Sequence, residues 1–144
     1  MKIQRIDHIG VVVNNLDAAK EFFLDFGFTV EGEAEEQSEL LDKVTGVKDA
    51  KSQIVFLQAP GGQINLELTK FIHPAYKSEV QESRIYSHGM KHLAFAVENI
   101  EDVVARVKQK GYEVFVDTYT YGDMYKLCYF NGPEGIIIEL AEKL

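Results

Sequence analysis

Apolar residues come in two rhythms along this chain, and the alternation between them lays out its elements. Residues 3–13 are β-branched and apolar and predict a buried strand. Asn14 and Asn15 stand where a helix cap belongs, and Leu16, Ala19, Phe22, Phe23 and Phe26 then recur at helical spacing. Gly27 suits a left-handed stop. FTVEGEA resumes as a strand, and KSQIVFLQA and GQINLELTKF alternate around a Pro-Gly-Gly turn, which predicts a hairpin. The order is strand, helix and three strands.

The same order then repeats. HLAFAV reads as a strand, Asn99 as the cap of the helix IEDVVARVKQK, and Gly111 as its end. YEVFVDT, MYKLCYFN and GIIIELAE follow as strands, with a turn over Gly132, Pro133, Glu134 and Gly135. Sliding the chain by 84 positions (92 minus 8) places His8 on His92, Asn15 on Asn99, Gly27 on Gly111 and Val30 on Val114. Near the module ends the shift is 72 (139 minus 67), which places Glu67 on Glu139. Self-similarity of this kind identifies a duplicated structural unit. Modules 1–71 and 91–144 are therefore expected within one domain, with 72–90 as linker.

The fall in shift from 84 to 72 means that the first copy carries about 12 extra residues, placed around SELLDKVTGVKD, residues 38–49. Ser38 can cap a short helical turn that Gly46 ends. The segment reads either as a surface excursion or as a lid beside a cleft.

The chemistry gathers at the repeat. Alternate side chains of a strand share a face, so His8 points with Ile6, Gly10 and Val12, and His92 with Met90, Ala94 and Ala96. Glu67 interrupts Leu66 and Leu68, and Glu139 interrupts Ile138 and Leu140. A carboxylate carried inward needs a cation or hydrogen-bond donors, because burying it unpaired is costly. A single inward His is more often a hydrogen-bonded core residue, and a single strand-end Glu more often faces solvent. Two of each at equivalent repeat positions instead point to a metal site made of His8, Glu67, His92 and Glu139. Two imidazoles with two carboxylates suit one divalent ion, whether Zn²⁺, Ni²⁺, Co²⁺, Mn²⁺ or Fe²⁺.

Other candidates read more plainly. His73 and His88 belong to the surface or a pocket rim. Tyr119, Tyr121, Tyr125 and Tyr129 suit a pleated, half-buried surface, where some can also line a pocket and donate a phenolic hydrogen bond. Cys128, between Leu127 and Tyr129, reads as an inert small hydrophobe.

Composition narrows the partners. The 144 residues carry 46% apolar and 26% charged side chains, ordinary values for a globular domain. A net charge of −8 argues against nucleic acid and anionic membrane surfaces. The single cysteine excludes an internal disulfide and fits a reducing compartment. With no spanning apolar run and no visible signal peptide, a cytoplasmic location is expected. Unpaired strand edges predict a homodimer, and the partner of the site is a small-molecule substrate.

This duplication, closing on FNGPEGIIIEL, resembles the vicinal oxygen chelate superfamily: glyoxalase I, methylmalonyl-CoA epimerase, extradiol dioxygenases, fosfomycin-resistance enzymes and bleomycin-binding proteins. Phe130, Pro133, Gly135, Glu139 and Leu140 match its closing motif, while Gly132 and Glu134 replace two Asp residues. The resemblance covers nearly the whole chain. It implies an α+β fold in which two paired βαβββ modules form an open, eight-stranded, barrel-like sheet. It also implies metal ligands from the first and last strands of each module, and Glu139 as the proton-transferring base, with Glu67 the alternative.

The function it implies is a metal-dependent isomerase, lyase or epimerase moving a proton next to a chelated carbonyl. The Glu at position 67 favours this branch, because the matching position is Glu in glyoxalase I. Two rivals stand beside it. An Fe²⁺ extradiol-type dioxygenase would use His8, His92 and Glu139, but Glu67 would crowd its open positions. A non-catalytic antibiotic-binding protein suits the acidic charge, although such binders generally lack the ligands. Glyoxalase I grips glutathione at positions occupied here by Val12 and Phe71, neither of which can pair with a carboxylate. The acid–base residues are present and that handle is not.

Overall fold

A parallel pairing between first and last strand governs each half of the chain. The computed structural model describes residues 2–76 and 84–144, and the chain divides into two units, Met1–Ser78 and Glu79–Leu144. The boundary falls inside the 72–90 segment, of which 77–83 lie outside the described residues.

In the first unit β1 (His8–Val12) leads into α1 (Leu16–Asp25), β2 (Thr29–Glu36), α2 (Glu39–Thr45), β3 (Lys51–Gln58) and β4 (Asn65–His73). The sheet order is β1-β4-β3-β2, with β1 parallel to β4 and the other neighbours antiparallel. Strand β1 is shorter than the apolar pattern of residues 3–13 predicts. Its ladder begins where His8 meets Asn65, the first residue of β4, so among the described residues Ile3 and Ile6 have no partner strand, and both are exposed.

Local chemistry sets the helices. The Asn15 side chain accepts from the Ala18 amide at 3.1 Å and opens α1. One face of the sheet then closes on that helix. Leu66 and Leu68 of β4 sit opposite Leu57 and Val55 of β3, and all four are buried with Ala19, Phe22 and Phe23. Phe23 meets Phe22 and Phe28 edge to face at 5.1 and 5.3 Å.

The extra segment of the first module is a formed element. Ser38 caps α2 by accepting from the Leu41 amide at 3.1 Å, and Gly46, at φ 70°, ends it. The Asp42 carboxylate accepts from the amides of Asp49 and Ala50 at 3.1 and 2.8 Å, and Leu41 and Ala50 are buried.

The second unit contains β5 (His92–Ala96), α3 (Ile100–Gln109), β6 (Glu113–Tyr121), β7 (Tyr125–Asn131), a 3-10 turn at Pro133–Gly135 and β8 (Ile137–Lys143). Its order, β5-β8-β7-β6, repeats the first sheet strand for strand. Cys128, Phe130, Ile138 and Leu140 are buried on one face of β7 and β8, as are Ile100, Val104 and Val107 of α3. This is the α+β duplication of βαβββ modules that the repeat predicts. Among the described residues its eight strands are hydrogen-bonded as two sheets of four, one in each unit.

One cap differs from its expectation. Asn99 makes no side-chain cap to α3; it sits at φ 54° with its amide nitrogen on Asp102. The helix start is held instead by Glu142 of β8, whose carboxylate accepts from the main-chain amides of Asn99 and Ile100 at 3.2 and 3.0 Å. A carboxylate there also complements the positive end of the helix dipole.

Candidate metal-ligating site

Strand register decides which predicted residues meet. Gly10 lies opposite Glu67, so His8, two residues before Gly10, shares the face of Glu67. Ala94 lies opposite Glu139, and His92 shares that face in the same way. In both units this is the face opposite the buried Leu66–Leu68 or Ile138–Leu140 rows.

Both pairs form. In the first unit His8 Nε2 lies 3.8 Å from Glu67 Oε2. In the second, His92 Nε2 lies 3.0 Å from Glu139 Oε2. The carboxylates are the better covered partners, Glu67 28% and Glu139 15% exposed, against 50% for His8 and 38% for His92. Within each unit, among the described residues, no group of three or more His, Cys, Asp or Glu able to hold a metal ion comes together. Each unit supplies a pair.

Three neighbours of these pairs are not legible in the repeat. The Asp7 carboxylate lies 3.1 Å from His8 Nδ1, and Arg5 Nη2 lies 2.6 Å from Asp7. An ionised carboxylate only accepts, so Nδ1 is the donor of this contact, and Nε2 is the atom that faces Glu67. The hydrogen bond with His8, and then the Arg5 charge, hold the Asp7 carboxyl below its ordinary range. Thr69 Oγ1 donates to Glu67 Oε1 at 3.3 Å.

The third neighbour is Tyr129, opposite Glu139 in the β7–β8 ladder. Burial, and then the adjacent Glu139 carboxylate, push the Tyr129 phenol up. Its ring stands edge-on to His92, centroids 6.0 Å apart, and 6.1 Å from Phe115. Among four clustered tyrosines the sequence does not single it out. Asp7 had a local signal, an acidic residue directly before the first His, but the second module has Lys91 there and the repeat hides it.

The remaining candidates lie apart from this chemistry. His73 and His88 are exposed, and Cys128 is buried. A cavity of about 420 Å³ in the first unit is lined by Asn15, Lys20, Glu33, Gln53 and Lys70, among others. Glu33, Gln53 and Lys70 alternate with Glu67 and Phe56, so it opens on the α1 side of the sheet, not on the Glu67 face.

The donor set fits a divalent ion. Each unit presents one imidazole nitrogen and one carboxylate toward each other, with Asp7 or Tyr129 behind, as metal sites arrange the outer partners of their ligands.

The fold defines a duplicated βαβββ class, and the comparisons agree with it. Residues 5–140 match the family described as the Glyoxalase/Bleomycin resistance protein/Dioxygenase superfamily, and the chain belongs to it. The superfamily includes enzymes such as glyoxalase I, and its members typically bind a divalent metal. A glyoxalase family protein from Bacillus cereus is similar at 33% identity and a TM-score of 0.93, over 100% of this chain and 97% of that one. The uncharacterized protein YaeR of Escherichia coli is 27% identical over 145 residues, 98% of each chain. A glyoxalase I mutant from Zea mays shares the fold at 18% identity and a TM-score of 0.67, over 95% of this chain and 44% of that one.

Proposed function

We propose that His8, Glu67, His92 and Glu139 hold one divalent ion, assembled within one chain or across a homodimer, and that the protein moves a proton next to a substrate carbonyl. The observation that carries this reading is the pairing of one His with one Glu on the same face of each duplicated sheet. A divalent ion bound there supplies the positive charge that polarises the carbonyl.

The rest of the work falls to the chain. Glu139 takes the proton from the carbon beside the carbonyl and returns it, because a carboxylate within reach of the reacting carbon acts as base and then as acid. Glu67 serves mainly as a ligand. The faces beside these residues carry Phe56 and Tyr129, which suit a small organic substrate. Val12 and Phe71 offer no grip on glutathione carboxylates, so the substrate class is a small α-oxygenated carbonyl compound or a thioester.

The test needs no known substrate. Candidate keto acids, thiohemiacetals and acyl-CoA esters are incubated with the protein in D₂O, and exchange at the α-carbon is followed by NMR. Metal-dependent exchange that disappears in Glu139→Gln is the expected result. Oxygen consumption with a catechol, or tight antibiotic binding by metal-free protein, overturns the reading in favour of a dioxygenase or a binding protein.

A further inference from the structure

We propose that Tyr129 is a positioning residue which fixes the carboxylate of Glu139 and so makes the two carboxylates of the site unequal. The inference rests on the metal-binding reading above and concerns how that site is built.

The duplication supplies the comparison. Tyr129 faces Glu139 across β7 and β8, and Phe56 faces Glu67 across β3 and β4. Strand, register and ring size correspond, and the difference is one hydroxyl. A phenol beside an ionised carboxylate can serve it only as a donor, since the carboxylate has no hydrogen to give. The Tyr129 ring is itself set by its edge-on packing against His92 and by Phe115. Glu139 thus has His92 at one oxygen, 3.0 Å away, and the Tyr129 side chain beside it across the ladder.

Glu67 is held differently. Phe56 cannot donate, and among the described residues the donor to Glu67 is Thr69 Oγ1, at 3.3 Å from Oε1, with His8 at 3.8 Å. The position equivalent to Thr69 is Ala141, which has no hydroxyl, so nothing there replaces the phenol if it is removed. The second unit therefore presents a carboxylate fixed through a neighbouring strand. The first presents one that accepts from Thr69 of its own strand, with Phe56 in the place of the phenol.

The experiment uses the full chain stripped of metal and titrated with Co²⁺ or Zn²⁺ against a chromophoric chelator. Tyr129→Phe keeps the ring and removes the donor. It should weaken metal binding about tenfold, the lower end of what loss of an outer partner costs, and shift the Co²⁺ absorption bands. Thr69→Val should change affinity less than Tyr129→Phe does. Wild-type affinity and an unaltered Co²⁺ spectrum in Tyr129→Phe overturn the proposal, provided that His92→Ala has lost binding. If wild type binds no ion, or binds it equally well without His92, the metal reading falls and this proposal with it. Should Tyr129→Phe not fold, wild type is titrated with Zn²⁺ while its tyrosine ring NMR signals are followed. Tyr129 signals that shift support the proposal, and signals that stay put overturn it.

Discussion

His92 Nε2 faces Glu139 Oε2 at 3.0 Å, whereas the equivalent atoms of His8 and Glu67 stand 3.8 Å apart. The tighter pair belongs to the better covered carboxylate. Replacing His92 with Ala should lower metal occupancy per chain roughly tenfold or more at limiting metal, as loss of a ligand costs at least what loss of an outer partner does. Elemental analysis of the purified variant checks this, and unchanged stoichiometry counts against the ligand set.

The two carboxylates should also separate in activity. Glu139→Gln keeps shape and removes the proton acceptor, so α-proton exchange should fall about 10²- to 10⁴-fold with the fold intact. Glu67→Gln should cost less in exchange and more in metal affinity. Equal losses from both variants would show that the base has been assigned to the wrong unit, or to neither.

The cap of α3 gives a stability test. Glu142→Ala removes the acceptor of the Asn99 and Ile100 amides and should destabilise the protein by about 1 kcal/mol in urea denaturation. Asn99→Gly should be neutral or slightly stabilising, because Asn99 sits at φ 54° and its side chain does not cap the helix. The reverse ranking would restore Asn99 as the cap.

Cys128 should be inert while the protein is folded. Burial pushes its thiol up to about 11, so at pH 8 it is neutral and out of reach of a disulfide reagent. It should react fully once denaturant is added. The sign for stability follows: the folded state favours the neutral thiol, and an unfolded chain ionises near 9.0. Its contribution is therefore present below pH 9 and is lost as pH rises toward 11. Rapid labelling of native protein at pH 8 would contradict this.

Association is the last expectation. Among the described residues β1 and β2 are the outer strands of one sheet, and β5 and β6 of the other, and an outer strand invites pairing or cover. Light scattering should report a homodimer, and a monomer at working concentration would remove that arrangement from the proposed site.

What the sequence disclosed follows the range of the interactions concerned. Ser38, Gly46 and Asn15 were legible because each acts on amides or backbone within three or four residues of itself. The face shared by His and Glu was legible because strand alternation is strictly two-fold and the repeat states it twice. The start of β1 was overextended, since an apolar run does not reveal where its partner strand ends. Asn99 was misread because its expected task is done by Glu142, 43 residues away. Tyr129 remained one tyrosine among several until the register set it against Glu139.

The segment around α2 brings its own cap, its own glycine stop and a carboxylate latch in Asp42, which ties back to the amides of Asp49 and Ala50. At the corresponding corner of the second unit, β6 and β7 are joined by Gly122–Met124 alone. The longer connection is therefore a cassette spliced between two strand ends. No residue of that cassette is a rung of the β3–β4 ladder that carries Glu67, so its length and the register of the site are set separately.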